Sequence, residues 1–172
     1  MKSLLFLVAF ISITTYAQKG RLIPNPVRNI PRWVRNEFSV QQLDRQYEIT
    51  YQLYPPFLKG DFNGDGKSDI AVLIAEKSSG KLGIALVHGK QAQAFKHRIT
   101  ILGAGKQLGT VGDDFKWMNL WSTLSGKKSL AENDQRLFPA LHGTGIRLQQ
   151  RDDGAGLIYW DGKKYEWRRL GK

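Results

Sequence analysis

Oxygen-bearing side chains alternate along residues 61–69, which read DFNGDGKSD. Asp61, Asn63, Asp65 and Asp69 take the first, third, fifth and ninth positions, and the backbone carbonyl of Lys67 falls at the seventh. Calcium binds roughly six to eight oxygen ligands, and a curled loop with this alternation turns its oxygens toward one point. Three neighbouring carboxylates also repel one another unless a cation lies among them. The spacing therefore predicts a calcium site formed by these five residues.

The glycines of this stretch fit a tight loop. Gly66 stands where an EF-hand loop bends sharply, and the first six residues match the EF-hand start, D-x-[DN]-x-[DN]-G. The match ends there, because the twelfth position is Val72 and lies in an apolar run. Asn63-Gly64 and Asp65-Gly66 are also strong hairpin-turn signals that need no metal. A plain turn therefore remains the alternative to a calcium loop.

The stretch from Asp61 to Leu73 resembles the calcium loops of FG-GAP and VCBS repeats, which occur in integrin-like β-propellers. Those loops read roughly D-x-N-G-D-G-x-x-D before an apolar strand. The resemblance implies side-chain ligands at the four acidic and amide positions and a carbonyl ligand from Lys67. The families carry several tandem copies, whereas this chain has one, so we do not expect a propeller.

The sequence that follows this loop predicts strands, which would hold the loop in position. The runs 70–75 and 82–89 are rich in β-formers, and KSSGK between them predicts a hairpin. Both faces of the first run are apolar, which predicts a covered strand. Upstream, Ser39 and Gln42 have capping-box spacing, which predicts a helix that starts at Ser39 and ends before Pro55.

Further strands are expected near 98–102 and 145–150, and a last hairpin turns at Asp161-Gly162. The aromatic-rich segment 113–124 is expected to be helical or irregular. The sum is an α+β fold, in which an N-terminal helix packs on one antiparallel sheet of about five or six strands. Residues 39–172 would form this single domain.

The N-terminus has the layout of an export signal. Lys2 precedes an apolar block and a Thr-Tyr-Ala ending, which predicts a signal peptide over residues 1–17. Residues 18–38 contain three prolines and are expected to form an extended linker. No later apolar run is long enough to span a bilayer. We therefore expect export to the periplasm or the cell exterior, with no transmembrane segment after cleavage.

The net charge of the chain indicates which classes of partner it could bind. The formal net charge is +11, of which the signal peptide carries only Lys2, and the chain has no cysteine. A basic surface favours anionic partners, such as acidic envelope glycans. The basic residues are dispersed and no nucleic-acid motif is present, so we expect no specific nucleic-acid binding. An envelope protein is the other expected partner, and the protein is expected to be a monomer.

Aromatic residues cluster beside basic ones near the C-terminus. Core packing is the ordinary role of such residues. The alternative is an aromatic shelf that faces an acidic glycan, which we define by eight residues: Trp117, Trp121, Trp160, Trp167, Lys163, Lys164, Arg168 and Arg169.

The sequence favours a non-enzymatic function. His88, His97 and His142 lack metal-ligand spacing, and no G-x-S-x-G turn is present. The acidic pairs 113–114 and 152–153 read first as a helix start and a turn. We therefore expect an exported binding or accessory module with one structural calcium. A small hydrolase of an envelope polysaccharide and a secreted inhibitor or accessory subunit that docks on another protein remain the alternatives.

Overall fold

The computed structural model describes residues 29–89, 98–126, 141–151 and 154–171. The predicted signal peptide, 1–17, and the first part of the predicted linker, 18–28, lie outside the described residues. The described residues form two antiparallel sheets and one α-helix, so the α+β class is confirmed. The prediction of one sheet is wrong, because the strands divide into a five-stranded and a four-stranded sheet.

The first sheet contains the hairpin predicted after the loop. Its strands are β1 (Tyr47–Ile49), β2 (Phe57–Gly60), β3 (Asp69–Glu76), β4 (Leu82–Val87) and β5 (Ile99–Gly103). Strand β4 pairs with β3 on one side and with β5 on the other, and β1 and β2 lie end to end along the remaining edge of β3. Strand β3 is therefore central, and loop 61–69 connects it to its own neighbour β2.

The second sheet is a meander of four strands in chain order. They are β6 (Leu120–Ser125), β7 (His142–Gln150), β8 (Gly154–Trp160) and β9 (Tyr165–Arg169). The predicted turn at Asp161-Gly162 connects β8 to β9. The aromatic-rich segment before Leu120 is irregular, and its end belongs to β6.

The single described α-helix, α1, spans Arg32–Val40. The predicted helix start at Ser39 is wrong, because Ser39 lies in the last turn of α1 and Gln42 takes a left-handed φ of 56° that ends the helical path. The predicted linker is likewise wrong over residues 32–38. Pro31 occupies the N-cap, where its fixed φ and missing N–H are tolerated. Among the described residues no helix is long and apolar enough to cross a membrane.

The layers explain why both faces of β3 are apolar. Ile70, Val72 and Ile74 pack with Val34 and Phe38 of α1 in one cluster. The opposite face of β3 joins β4 and the second sheet in another cluster, which contains Ala71, Leu73, Ile84, Leu86, Ile146 and Leu148. Fully burying one such aliphatic side chain contributes about 1.5–3 kcal/mol. Helix α1, the first sheet and the second sheet form three layers, with the first sheet in the middle.

Candidate functional site

Loop 61–69 lies at the junction of the two sheets. The backbone amide of Thr144, in β7, donates a hydrogen bond of 2.6 Å to the carbonyl oxygen of Asp61. Gly143 has a φ of 71°, and a Cβ at this position would overlap that carbonyl oxygen. Gly64 in turn approaches His142 closely. Strand β7 therefore touches the loop backbone along residues 142–144 and holds it in place.

Within the loop, side-chain oxygens accept hydrogen bonds from backbone amides. The two carboxylate oxygens of Asp61 accept from the amides of Asp65 at 3.0 Å and Gly66 at 2.9 Å. Asp65 accepts from the amide of Lys67 at 2.8 Å and from Asn63 Nδ2 at 3.1 Å. Gly66 has a φ of 79°, which glycine adopts without strain. The structure therefore brings Asp61, Asn63 and Asp65 together in one curled turn.

Asp69 faces the interior instead. Its side chain is completely buried and accepts hydrogen bonds from the amides of Phe62 and Gly89, each at 2.9 Å. Nδ1 of buried His88 lies 3.3 Å from Asp69 Oδ2, and the other ring nitrogen lies 3.3 Å from the hydroxyl of Thr100. Asp69 therefore ties the loop to the end of β4.

The loop matches calcium in donor type, although its carboxylates do not form a compact cluster. Among the described residues, no three histidine, cysteine, aspartate or glutamate side chains are close enough together to hold a metal ion. Asp69 faces the interior, where its two carboxylate oxygens accept backbone amides. Each carboxylate oxygen has two lone pairs, so an oxygen that accepts one amide hydrogen bond can still coordinate a cation. The predicted donors are all hard oxygens, which calcium prefers.

The hydroxyl of Tyr165, at the start of β9, is a buried polar group that the charges of the loop carboxylates influence. It has no hydrogen-bond partner among the described residues. Burial raises the pKa of the Tyr165 phenol above its usual range, and the negative charges of Asp69, Asp61 and Asp65 raise it further. The ring stacks on His88, with centroids 6.3 Å apart. The three carboxylates therefore act together on this buried hydroxyl.

The structure does not bring the eight residues of the predicted aromatic shelf together. Trp121 is only 4% exposed, and its Nε1 donates a hydrogen bond of 2.9 Å to the carbonyl oxygen of Pro55. The side chain of Trp121 points from β6 into the core. Its assignment to the shelf is therefore wrong. Arg168 alternates to the opposite face of β9 from Trp167 and Arg169.

The remaining shelf residues divide between two clefts at the two ends of β9. The first, the tryptophan cleft, has a volume of about 370 Å³ and is lined by Trp117, Trp167, Arg169 and Gln150, among others. Trp117 and Trp167 meet edge to face, with centroids 5.8 Å apart. The ring of Trp167 also covers Gly156, where a Cβ would overlap it. Both indoles are therefore partly committed to packing.

The second, the lysine cleft, lies at the tip of the β8–β9 hairpin beside loop 61–69 and has a volume of about 390 Å³. Six of the residues that line it are Asn63, His88, Trp160, Lys163, Lys164 and Tyr165.

Comparison of the chain with protein-family models, with curated proteins and with solved structures finds no match.

Sequence reasoning missed the residues that hold the loop from outside. Gly143 and Thr144 contact the loop from the second sheet, and nothing in the loop sequence predicts these contacts. His88 and Tyr165 also lie beside it, as the end of β4 and the start of β9 converge there. The only signal for His88 was its place directly after a fully buried strand.

Proposed function

We propose that the chain is an exported, non-enzymatic binding module of the cell envelope whose loop 61–69 binds one structural calcium ion. The proposed ligands are the side chains of Asp61, Asn63, Asp65 and Asp69 and the carbonyl oxygen of Lys67. The ion would supply positive charge beside the loop carboxylates, and it performs no chemical step. The proposed partner is an anionic envelope glycan, in keeping with the net charge of +11.

The observation that carries this proposal is the environment of the Tyr165 hydroxyl. It is a buried polar group with no hydrogen-bond partner among the described residues, and three loop carboxylates act on it. A buried, unsatisfied hydroxyl costs free energy, and neighbouring carboxylates repel one another. A hydrated divalent cation in the loop would offset the charge and would bring water to this region.

The loop's position supports a structural role for the ion. Loop 61–69 contacts both sheets, through Asp69 to the end of β4 and through Asp61 to Thr144 of β7. An ion that stiffens the loop would therefore stabilise the packing of one sheet on the other. The described residues that line the tryptophan cleft and the lysine cleft include no aspartate or glutamate, so neither of these two clefts offers the pair of carboxylates that glycoside hydrolysis needs.

Thermal unfolding with and without calcium tests the proposal. A weak extracellular site has a dissociation constant near 10⁻³ M, so about 5 mM calcium should stabilise the protein by about 1 kcal/mol. For a domain of this size, that stabilisation raises the melting temperature by about 2–4 °C relative to the protein in chelator. Magnesium at the same concentration should have a smaller effect, because it demands near-octahedral geometry.

Two variants make the test specific. Asp65→Asn keeps an oxygen for the Lys67 amide but removes one charge from the loop, so the calcium-dependent shift should fall below half. Asp44→Asn, in the exposed turn after α1, should leave the shift unchanged. An equal melting temperature in calcium and in chelator for the unmodified protein would refute calcium binding as a stabilising role.

A further inference from the structure

The lysine cleft has the features of a site for a small, charged ring. Its volume of about 390 Å³ lies at the small end of ligand-binding pockets, which hold roughly 300–1,000 Å³. Leu102 and Leu108 give it an apolar part, and the side chains of Asn63, Thr100 and Gln107 add polar groups. An apolar surface with a few convergent polar groups is the usual composition of a small-molecule site.

The hairpin tip gives the cleft an available positive charge. Asp161 accepts hydrogen bonds from the amides of Lys163 and Lys164 at 2.7 and 2.8 Å, which fixes the backbone of the turn. Lys164 forms an ion pair with Glu166 at 2.5 Å. The ammonium group of Lys163 forms no ion pair with any described residue, and its side chain is exposed. Lys163 can therefore bind an incoming carboxylate without first breaking an ion pair.

Trp160 supplies a flat apolar face beside that charge. It is half-buried and packs at 5.0 Å, centroid to centroid, on Tyr165, its cross-strand partner. Tyr165 stacks on His88 in turn, so three rings support one wall of the cleft. Locked rings of this kind bind a ligand at low cost in side-chain entropy.

We propose that the lysine cleft binds one acidic pyranose unit of a glycan, with the sugar carboxylate on Lys163, the ring against Trp160 and the hydroxyls near Asn63 and Thr100. This inference rests on the proposed function and names its ligand class and site. The cleft suits a uronic acid better than a nucleotide, because it is small and, among the described residues that line it, Lys163 is the lysine without an ion pair.

Titration of the full protein with glucuronic acid, glucose and inorganic phosphate at low, matched ionic strength tests the site, with isothermal titration calorimetry as the readout. Glucuronate should bind at least about tenfold more tightly than glucose, a difference of about 1.4 kcal/mol. Lys163→Gln should weaken glucuronate binding about fivefold to tenfold and leave glucose unchanged. Trp160→Ala should weaken both sugars. Lys59→Gln, an exposed lysine on β2, is the matched control and should change neither.

Three outcomes would overturn the site: no saturable binding of glucuronate, equal binding of glucuronate and phosphate, or unchanged glucuronate binding in Lys163→Gln. The same titration in chelator separates the two proposals. Negative loop charges lie beside the cleft, so loss of a bound calcium should weaken glucuronate binding about twofold to threefold. Selective binding that chelator leaves unchanged supports the cleft and contradicts the calcium loop.

Discussion

The amide of Thr144 and the carbonyl oxygen of Asp61 join the two sheets through a hydrogen bond of 2.6 Å. Asp61 opens loop 61–69 beside the first sheet, and Thr144 lies in β7 of the second. The bond can form only because Gly143 has no side chain at the point of closest approach. The loop is therefore fixed by backbone contacts from outside as well as by its own side chains.

Gly143→Ala should disrupt this junction. A Cβ at position 143 would overlap the Asp61 carbonyl oxygen, and the φ of 71° is strained for alanine. Overpacking and left-handed strain together should cost about 3 kcal/mol in the free energy of unfolding. Gly66→Ala has a similar φ but no neighbour within 4 Å, so it should cost about 1 kcal/mol. Urea unfolding of both variants measures the difference, and equal costs would show that the close contact is unimportant.

Asp69→Asn should destabilise the protein far more than Asp65→Asn, when both are measured in chelator. The buried Asp69 carboxylate accepts two backbone amides, whereas an asparagine offers one acceptor oxygen and turns an NH₂ group toward the other donor. The expected cost is about 2–3 kcal/mol. Asp65 is exposed, and asparagine there keeps the bond from the Lys67 amide and loses only the one from Asn63 Nδ2, so its cost should stay below about 1 kcal/mol. A larger loss of stability in Asp65→Asn than in Asp69→Asn would contradict this prediction. It would show that the Asp65 carboxylate contributes more to the stability of the fold.

Trp121→Phe should lower stability by about 2 kcal/mol. The change removes the hydrogen bond to the Pro55 carbonyl and leaves a small cavity in the core. Trp33, on α1, is 38% exposed, and Trp33→Phe should cost less than about 0.5 kcal/mol. Chemical denaturation of both variants gives the comparison. A Trp121 variant as stable as the Trp33 variant would show that the Trp121 indole is not a core anchor.

The β8–β9 turn should weaken in acid. Hydrogen bonds from the amides of Lys164 and Lys163 hold the pKa of the Asp161 carboxyl below its usual range. A lowered pKa in the folded state contributes stability above the ordinary aspartate pKa of about 3.9, and this stability is lost as the pH falls through the lowered value. Asp161→Asn keeps the acceptor oxygen without the charge. Its melting temperature should therefore fall less than that of the unmodified protein between neutral pH and pH of about 3. Parallel curves would contradict this linkage.

Much of the fold could be predicted from local patterns. The β3–β4 hairpin, the strand near β5 and the final turn at Asp161-Gly162 follow from apolar runs and turn residues. The helix was misplaced, because capping-box spacing at Ser39 is a local signal, whereas burial of Val34 and Phe38 against β3 decides where the helix forms. The division into two sheets could not be predicted, since it depends on which faces meet in space.

The candidate site divides in the same way. The curled turn of Asp61, Asn63 and Asp65 follows from its spacing, because the short polar side chains bond amides within a few residues. The inward orientation of Asp69 could not be predicted, since its partner Gly89 follows the neighbouring strand β4 and lies 20 residues further along the chain. The aromatic shelf failed for a related reason. The aromatic and basic residues are close in sequence, but strand alternation turns the side chains of Trp121 and Arg168 away from the clefts. The remaining shelf residues divide between the two clefts at the ends of β9.

Each sheet is built from one continuous part of the chain, the first from residues 47–103 and the second from residues 120–169. Among the described strands, none from one part of the chain joins the sheet of the other part, so each sheet can assemble through short-range hairpins before the two meet. The hydrogen bond between Thr144 and Asp61 can form only when the two sheets meet, because Thr144 belongs to the second part of the chain. A calcium ion bound in this loop would therefore stabilise the packing of the two sheets on each other. It would leave the rate of strand pairing within each sheet unchanged.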